Sequence, residues 1–300
     1  MGQLHNRVAV VTGAGGGLGR AHALLLGAEG AKVVVNDLDG TRSVVEQIRS
    51  AGGEAIAVEG SIADSATAEQ LVAAAIESFG DLHVIVNNAG VVRDAMLWNM
   101  TDEQFDLVLD VHLKGAFGLT RAAARYWRDQ AKAGAVEDRS IVNTTSAAGL
   151  HGNVGQWNYA AAKAGLAIQA VVGAEELGRF GVRANAISPA ARTPMVATAP
   201  TLAAAVAAPD DDTAFDRFHP SNVSALVGYL ATARCPFTGQ VFSVTGGHVG
   251  LYAGYSLAHA LDTDRGWSVG DLAELMGADS FPKSAEVTRP SLIQLEGVGT

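Results

Sequence analysis

Short runs of apolar, β-branched residues alternate along the chain with longer alanine-rich segments whose apolar positions recur at helical spacing. The runs at 8–11, 32–36, 55–58, 83–86, 140–144, 183–187 and 241–244 predict seven strands. The segments at 18–27, 42–50, 66–79, 102–132, 156–177 and 221–232 predict helices. Strand and helix in regular succession mark βα units around a parallel sheet. The expectation is an α/β fold, a doubly wound parallel sheet of seven strands with helices on both faces, over residues 1–250. A C-terminal extension, 251–300, follows, with a short helix at 267–276 and loop from 281 onward. Residues 193–220, rich in Ala, Thr, Pro and Asp, predict a mobile flap between strand six and the last helix.

Composition narrows the function classes. Of 300 residues, 48% are hydrophobic and 17% charged, as in a compact globular chain. The formal net charge of −10, with no cluster of Lys and Arg, argues against nucleic acid as a partner. Cys235 stands alone, so no intramolecular disulfide forms and a reducing compartment is the simplest setting. The first seven residues run straight into strand one and leave no room for a secretory h-region. No stretch approaches about 18 uninterrupted apolar residues, so a membrane is not an expected partner and a cytoplasmic location is.

Directly after strand one, Thr12-Gly13-Ala14-Gly15-Gly16-Gly17-Leu18-Gly19 leads into a helical run. A glycine-rich turn from strand into helix brings free backbone N–H groups and the positive helix end to a pyrophosphate, as in Rossmann-type sheets. The spacing Gly13, Gly17, Gly19 departs from G-x-G-x-x-G, since Leu18 stands where its last glycine should be. Strand two ends in Asn36-Asp37, where a carboxylate can accept both ribose hydroxyls of an adenosine. A 2′-phosphate there would meet like charge, at a cost of about 4 kcal/mol per charge pair near a surface. NAD is therefore favoured over NADP.

Ser146, Tyr159 and Lys163 form the second candidate cluster. Tyr159 and Lys163 are four positions apart on one predicted helix and share a face. A phenol with a usual pKa near 10 must lose about three units, worth about 4 kcal/mol, to act as a base near neutrality. An ammonium one turn away, together with the positive nicotinamide ring, would favour the phenolate. Ser146, at the end of strand five, could hydrogen-bond a substrate oxygen as charge develops on it.

Together Thr12-Gly13-x-x-x-Gly17-x-Gly19, Asn87-Asn88-Ala89-Gly90, Ser146, Tyr159-x-x-x-Lys163 and Val244-Thr245-Gly246-Gly247 resemble the short-chain dehydrogenase/reductase family in order and spacing, over about residues 7–250. The resemblance implies an oxidoreductase that moves a hydride between a nicotinamide and a secondary alcohol or ketone, with Tyr159 as acid/base. It implies Gly13, Gly17, Leu18, Gly19, Asp37, Ser61, Ile62, Asn88, Ala89, Gly90, Tyr159, Lys163, Pro189 and Thr193 at the cofactor. Lys163 would hold the nicotinamide ribose and Thr193 would meet the carboxamide. Within the family, Arg93-Asp94, Val111-His112-Leu113-Lys114-Gly115 and Gly152-Asn153-x-Gly155-Gln156 look most like the (3R)-hydroxyacyl-CoA dehydrogenase region of peroxisomal multifunctional enzyme type 2 and its bacterial relatives. An acyl-CoA thioester, with a bulky or steroid-derived acyl part among the possibilities, is then the implied substrate.

Three departures stand out. His112 replaces an Asn that anchors a water relay behind the lysine, and orders that water, relays protons itself, or is a buried helix histidine that only fills the place. Ser61-Ile62 replaces Asp-Val beside the adenine, and Pro189-Ala190 replaces Pro-Gly. The alternatives are a 3-oxoacyl-carrier-protein reductase or a hydroxysteroid dehydrogenase and, from another class, a non-catalytic NAD-binding regulator. Asp37 disfavours the first, and the intact Ser146, Tyr159 and Lys163 disfavour the regulator. His22, His151, His219 and His248 lack metal-ligand spacing, and no metal is expected. Trp157 is either a pocket wall or an interface or core aromatic. The helices at 102–132 and 156–177 resemble those that pair across a two-fold in this family, so a homodimer or homotetramer is expected.

Overall fold

The computed structural model describes residues 2–277 apart from 198, 199, 212, 255, 258 and 265. Its contacts divide the chain into two compact units, Met1–Tyr252 and Ala253–Thr300. In the first, β1 (Val8–Thr12), α1 (Gly17–Ala28), β2 (Lys32–Asp37), α2 (Thr41–Ser50), β3 (Glu54–Glu59), α3 (Ser65–Phe79) and β4 (Val84–Asn87) follow in order. Then come α4 (Asp102–Leu109), α5 (Gly115–Lys132), β5 (Arg139–Thr144), α6 (Ala147–His151), α7 (Trp157–Leu177) and β6 (Val182–Pro189). The short helices α8 (Pro194–Ala197) and α9 (Pro200–Ala205), α10 (Ser221–Ala231), β7 (Val241–Thr245) and β8 (His248–Leu251) complete the unit. The second unit carries α11 (Val269–Gly277). The loop expected from 281 onward lies outside the described residues.

The strands form one sheet in the order β3-β2-β1-β4-β5-β6-β7-β8. The first seven are parallel, as expected. The eighth is a correction: β8 runs antiparallel to β7 in a hairpin. Gly246, at φ +49, makes the reversal where a Cβ would be strained.

Alternate residues of each central strand enter different cores, because successive side chains leave a strand on opposite faces. Ala9 and Val11 of β1 pack with Ala23, Leu26, Val44, Ile48 and Leu230 on the face of α1, α2 and α10. Val8 and Val10 pack with Leu71, Leu119 and Trp127 on the face of α3 and α5. Burial on both faces explains the near-continuous apolar runs.

The single helix expected at 102–132 is also corrected. It starts at a capping box between Thr101 and Gln104, but between α4 and α5 the turn Asp110–Lys114 is a π-helix. One extra residue in that turn rotates the side chains around it, and such bulges gather at functional sites. His112 lies inside this one.

Candidate active site

The strand order reverses between β1 and β4, which opens a crevice at their carboxyl ends. Three loops meet there. Thr12 Oγ1 accepts from the N–H groups of Asn88 and Ala89, both at 3.1 Å, and donates to Val86 O. Asn88 Nδ2 donates to Thr12 O at 3.0 Å and Gly13 O at 3.2 Å. Gly13 has φ +64, and a Cβ there would sit 2.6 Å from Ala89 Cα. A Cβ at Gly19 would sit 2.0 Å from Gly13 O. These glycines let the loops close on each other, whereas a Cβ at Gly16 would meet nothing within 4 Å, so that turn is open toward the crevice.

A dinucleotide fits the crevice. Helix α1 begins there with no side-chain cap and no acid in its first turn, which leaves its positive end for a phosphate. Asp37 closes the far side at the end of β2. Its Oδ2 accepts from Gly15 N at 2.9 Å and its Oδ1 from Leu38 N at 2.7 Å, each oxygen keeping a lone pair for a ribose hydroxyl. Thr193 lies beside the glycine turn, 3.7 Å from where a Cβ on Gly17 would be, and its Oγ1 accepts from Val196 N. Pro189 ends β6 within the pairing to Val244. Ser61 is exposed, its Oγ accepting from Ala63 N. The Ile62 side chain lies in the core against Gly115, so any contact of Ile62 with a cofactor falls to its main chain.

Ser146, Tyr159 and Lys163 converge at the ends of β5 and α7. Ser146 caps α6, accepting from Ala148 N at 3.2 Å, and its hydroxyl lies near enough to the Tyr159 phenol to favour the phenolate. Lys163 Nζ lies 5.5 Å from the Tyr159 ring centroid and donates to Thr144 O at 2.6 Å. That is its one hydrogen bond among the described residues, so the buried ammonium retains two donors. Burial pushes the Lys163 pKa down to about 7. Burial likewise raises the Tyr159 phenol; the Ser146 hydroxyl acts the other way, and the Asp94 carboxylate adds to the rise. In the chain without a nicotinamide, the phenol is thus not acidified.

His112 is buried behind this pair, its ring edge-on to Tyr159 with centroids 5.2 Å apart. Its Nε2 lies 3.0 Å from Val91 N and 2.8 Å from Val91 O. Gly90 makes the room, since a Cβ there would sit 2.2 Å from His112 Cε1. Burial first, and Lys163 second, push the His112 pKa down to about 3.

Sequence reasoning missed two residues here. Gly149 lets α6 lie on α7, where a Cβ would come within 2.6 Å of Lys163. Asn158 is fully buried and bonded to three segments. Nothing in the spacing marks either. The region expected as a flap carries α8 and α9, and is pinned by an ion pair of Arg192 with Asp216. Trp157 is 60% exposed, which removes the core alternative. Away from the crevice, Asp81, His83 and Glu137 bring ligand-type atoms within 4.8 Å of one another. Two of them have further partners: Asp81 pairs with Arg139 and Tyr126, and His83 Nδ1 accepts from Val8 N. No helix among the described residues is long and apolar enough to cross a membrane.

The sequence matches the short chain dehydrogenase family over residues 7–201. The chain belongs to that family. It is thereby an oxidoreductase. A hydroxyacyl-CoA dehydrogenase of Mycobacterium tuberculosis is 51% identical over 261 residues, covering 83% of this chain and 80% of that one. The peroxisomal multifunctional enzyme type 2 of Drosophila melanogaster is 41% identical over 252 residues, 80% of this chain but 39% of that longer protein. A crystal structure of a short chain dehydrogenase from Mycobacterium avium matches with a TM-score of 0.83 at 45% identity, covering 92% of this chain and 95% of that one.

Proposed function

We propose that the chain is an NAD-dependent dehydrogenase of 3-hydroxyacyl-CoA thioesters, with residues 1–250 as its catalytic domain. The observation that carries the chemistry is the convergence of Ser146, Tyr159 and Lys163 beside a crevice that fits a dinucleotide. The substrate class comes from the hydroxyacyl-CoA dehydrogenase relative and from the resemblance to the (3R)-hydroxyacyl-CoA dehydrogenase region of multifunctional enzyme type 2.

In oxidation the alcohol gives its O–H proton to the Tyr159 oxygen while its C–H bond releases a hydride, and the ketone forms. A nicotinamide held in the crevice would supply the hydride acceptor and, when oxidised, a positive charge beside the phenol. Ser146 donates a hydrogen bond to the substrate oxygen as charge develops on it. Lys163 has two donors free for ribose hydroxyls, and its charge favours the phenolate. The carboxylate of Asp37 selects NAD by accepting from the ribose and repelling a 2′-phosphate.

The chain works as a homo-oligomer in this proposal. Helices α5 and α7 expose Phe117, Ile168, Val171 and Val172. Between these helices runs a groove of about 400 Å³ that Arg121, Arg125 and Glu176 also line. A two-fold copy would cover these apolar residues and set arginine against glutamate.

The test follows NADH absorbance with 3-hydroxyacyl-CoA thioesters, hydroxysteroids and simple secondary alcohols, each with NAD and NADP. Turnover of the thioesters with NAD, lost by about 10²- to 10⁴-fold in Tyr159→Phe, is the expected result. Near-normal turnover in that variant would remove Tyr159 from the chemistry. Preference for a non-thioester alcohol would remove the substrate class alone.

A further inference from the structure

The backbone and the ring of Tyr159 are held by a single closed circuit of contacts. Asn158 Oδ1 accepts from Tyr159 N at 2.7 Å. Its Nδ2 donates to Arg93 O, in the loop after β4, and to Gln104 O, in the first turn of α4, both at 3.0 Å. Two residues before Arg93 stands Val91, whose main chain holds His112 Nε2. The imidazole then returns to Tyr159, its ring meeting the phenol ring edge to face at 87°. Asn158 has no exposed surface.

We propose that Asn158 is the positioning residue of this circuit, and that it keeps the phenol aligned with Ser146 and Lys163. The inference rests on the assignment of Tyr159 as acid/base. Only a side-chain amide offers two donors and an acceptor at this site. The N–H of Tyr159 belongs to the first turn of α7, where no carbonyl of the same helix is available to it, so Oδ1 supplies the missing partner. The two donors tie that turn to segments 54 and 65 residues away in sequence, so the helix end cannot shift without breaking bonds in a dry environment. Displacement of a reacting group by about 1 Å costs on the order of 10²-fold in rate.

Asn158→Ala, Asn158→Asp, His112→Asn and the doubles with His112→Asn are assayed as full-length proteins with NAD and the best substrate of the wild type, thioester or alcohol. Asn158→Ala should lower kcat roughly 10- to 100-fold and move the Tyr159 ionisation in the pH profile of kcat. NADH affinity, read by fluorescence, should stay within about twofold, a span worth under half a kcal/mol. Asn158→Asp keeps the acceptor and loses both donors, so it should be as slow as the alanine variant. Near-wild-type kcat in Asn158→Asp overturns the proposal, because the local bond to Tyr159 N would then suffice. A double variant whose loss is less than the product of the single losses shows one shared circuit; multiplicative losses overturn it. Should Asn158→Ala not fold, the same cycle is read with Asn158→Asp. A lowered Tm with unchanged kcat and pH profile marks Asn158 as a structural cap and also overturns it. An active Tyr159→Phe would instead overturn the underlying assignment.

Discussion

The imidazole of His112 stands edge-on to the phenol of Tyr159, with Nε2 held by the main chain of Val91 and the ring sealed from water. A histidine whose pKa is pushed down to about 3 stays neutral at working pH. Its Nε2 faces a peptide group rather than solvent. Of the two functional roles open from sequence, ordering group and proton relay, this favours the first. His112→Asn should lower kcat by up to about tenfold, yet the pH profile should show as many ionisations as the wild type. Loss of an ionisation near pH 6.5, or of a solvent isotope effect, would restore the relay.

Asp37 does more than face a ribose, because Gly15 N donates to it and so ties the glycine turn to β2. Asp37→Ala should therefore weaken NAD through both the lost ribose bonds and a looser turn. Removing the carboxylate also removes the repulsion of a 2′-phosphate, so the NADP/NAD ratio of kcat/KM should rise by about tenfold or more. Arg42, the nearby base, already pairs with Glu59 at 3.3 Å. An unchanged ratio would place selectivity elsewhere.

The parallel sheet was legible because strands buried on both faces carry continuous apolar runs, and the glycine turn because its spacing follows directly on one of them. The β7–β8 hairpin was not, since Gly246-Gly247 reads equally as part of a motif and His248–Leu251 is short and mostly exposed. The π turn at His112 was invisible for a different reason. Nothing local in Asp110–Lys114 demands it, and its main visible role is to bring an imidazole to a peptide group 21 residues away. Asn158 escaped notice in the same way: its partners are carbonyls, and a carbonyl has no sequence signature. The residues that carry the proposed chemistry were found by their type, and those that hold them in place only by geometry.

Lys163 sets function against stability. Its pKa falls from the usual 10.5 to about 7 on folding, because burial disfavours the ammonium. Below about pH 7 both folded and unfolded chains are charged and the full penalty is present. Between 7 and 10.5 the unfolded chain binds more protons, so this group makes stability rise with pH. Lys163→Met should abolish most turnover and weaken NADH binding. It should also be more stable than the wild type at pH 7, by a few kcal/mol at about 1.4 kcal/mol per pKa unit. The gain should shrink toward pH 10. Urea unfolding of both proteins at pH 7 and pH 9.5 decides it, and equal stabilities at pH 7 would show that the ammonium is not strained by burial.

Acid sensitivity should originate in part far from the crevice, at His22. This residue of α1 is fully buried, its Nδ1 lies 2.8 Å from Ser224 Oγ of α10, and burial pushes its pKa down to about 3. The folded protein keeps the ring neutral, while the unfolded chain protonates it below about 6.5. Stability from this group is therefore complete above pH 6.5 and is lost as pH falls toward 3, at about 1.4 kcal/mol per pH unit. His22→Gln keeps an amide for Ser224 but has nothing to titrate. At pH 8 the variant should be the less stable protein, by about 1 kcal/mol for the poorer fit and hydrogen bond. As pH falls to 5 the wild type should lose roughly 2 kcal/mol more than the variant, so that the two stability curves cross. The carboxylates and His112 titrate alike in both proteins, so the difference isolates His22. Parallel curves from pH 8 to 5 would show that His22 gains its proton without unfolding the helix pair.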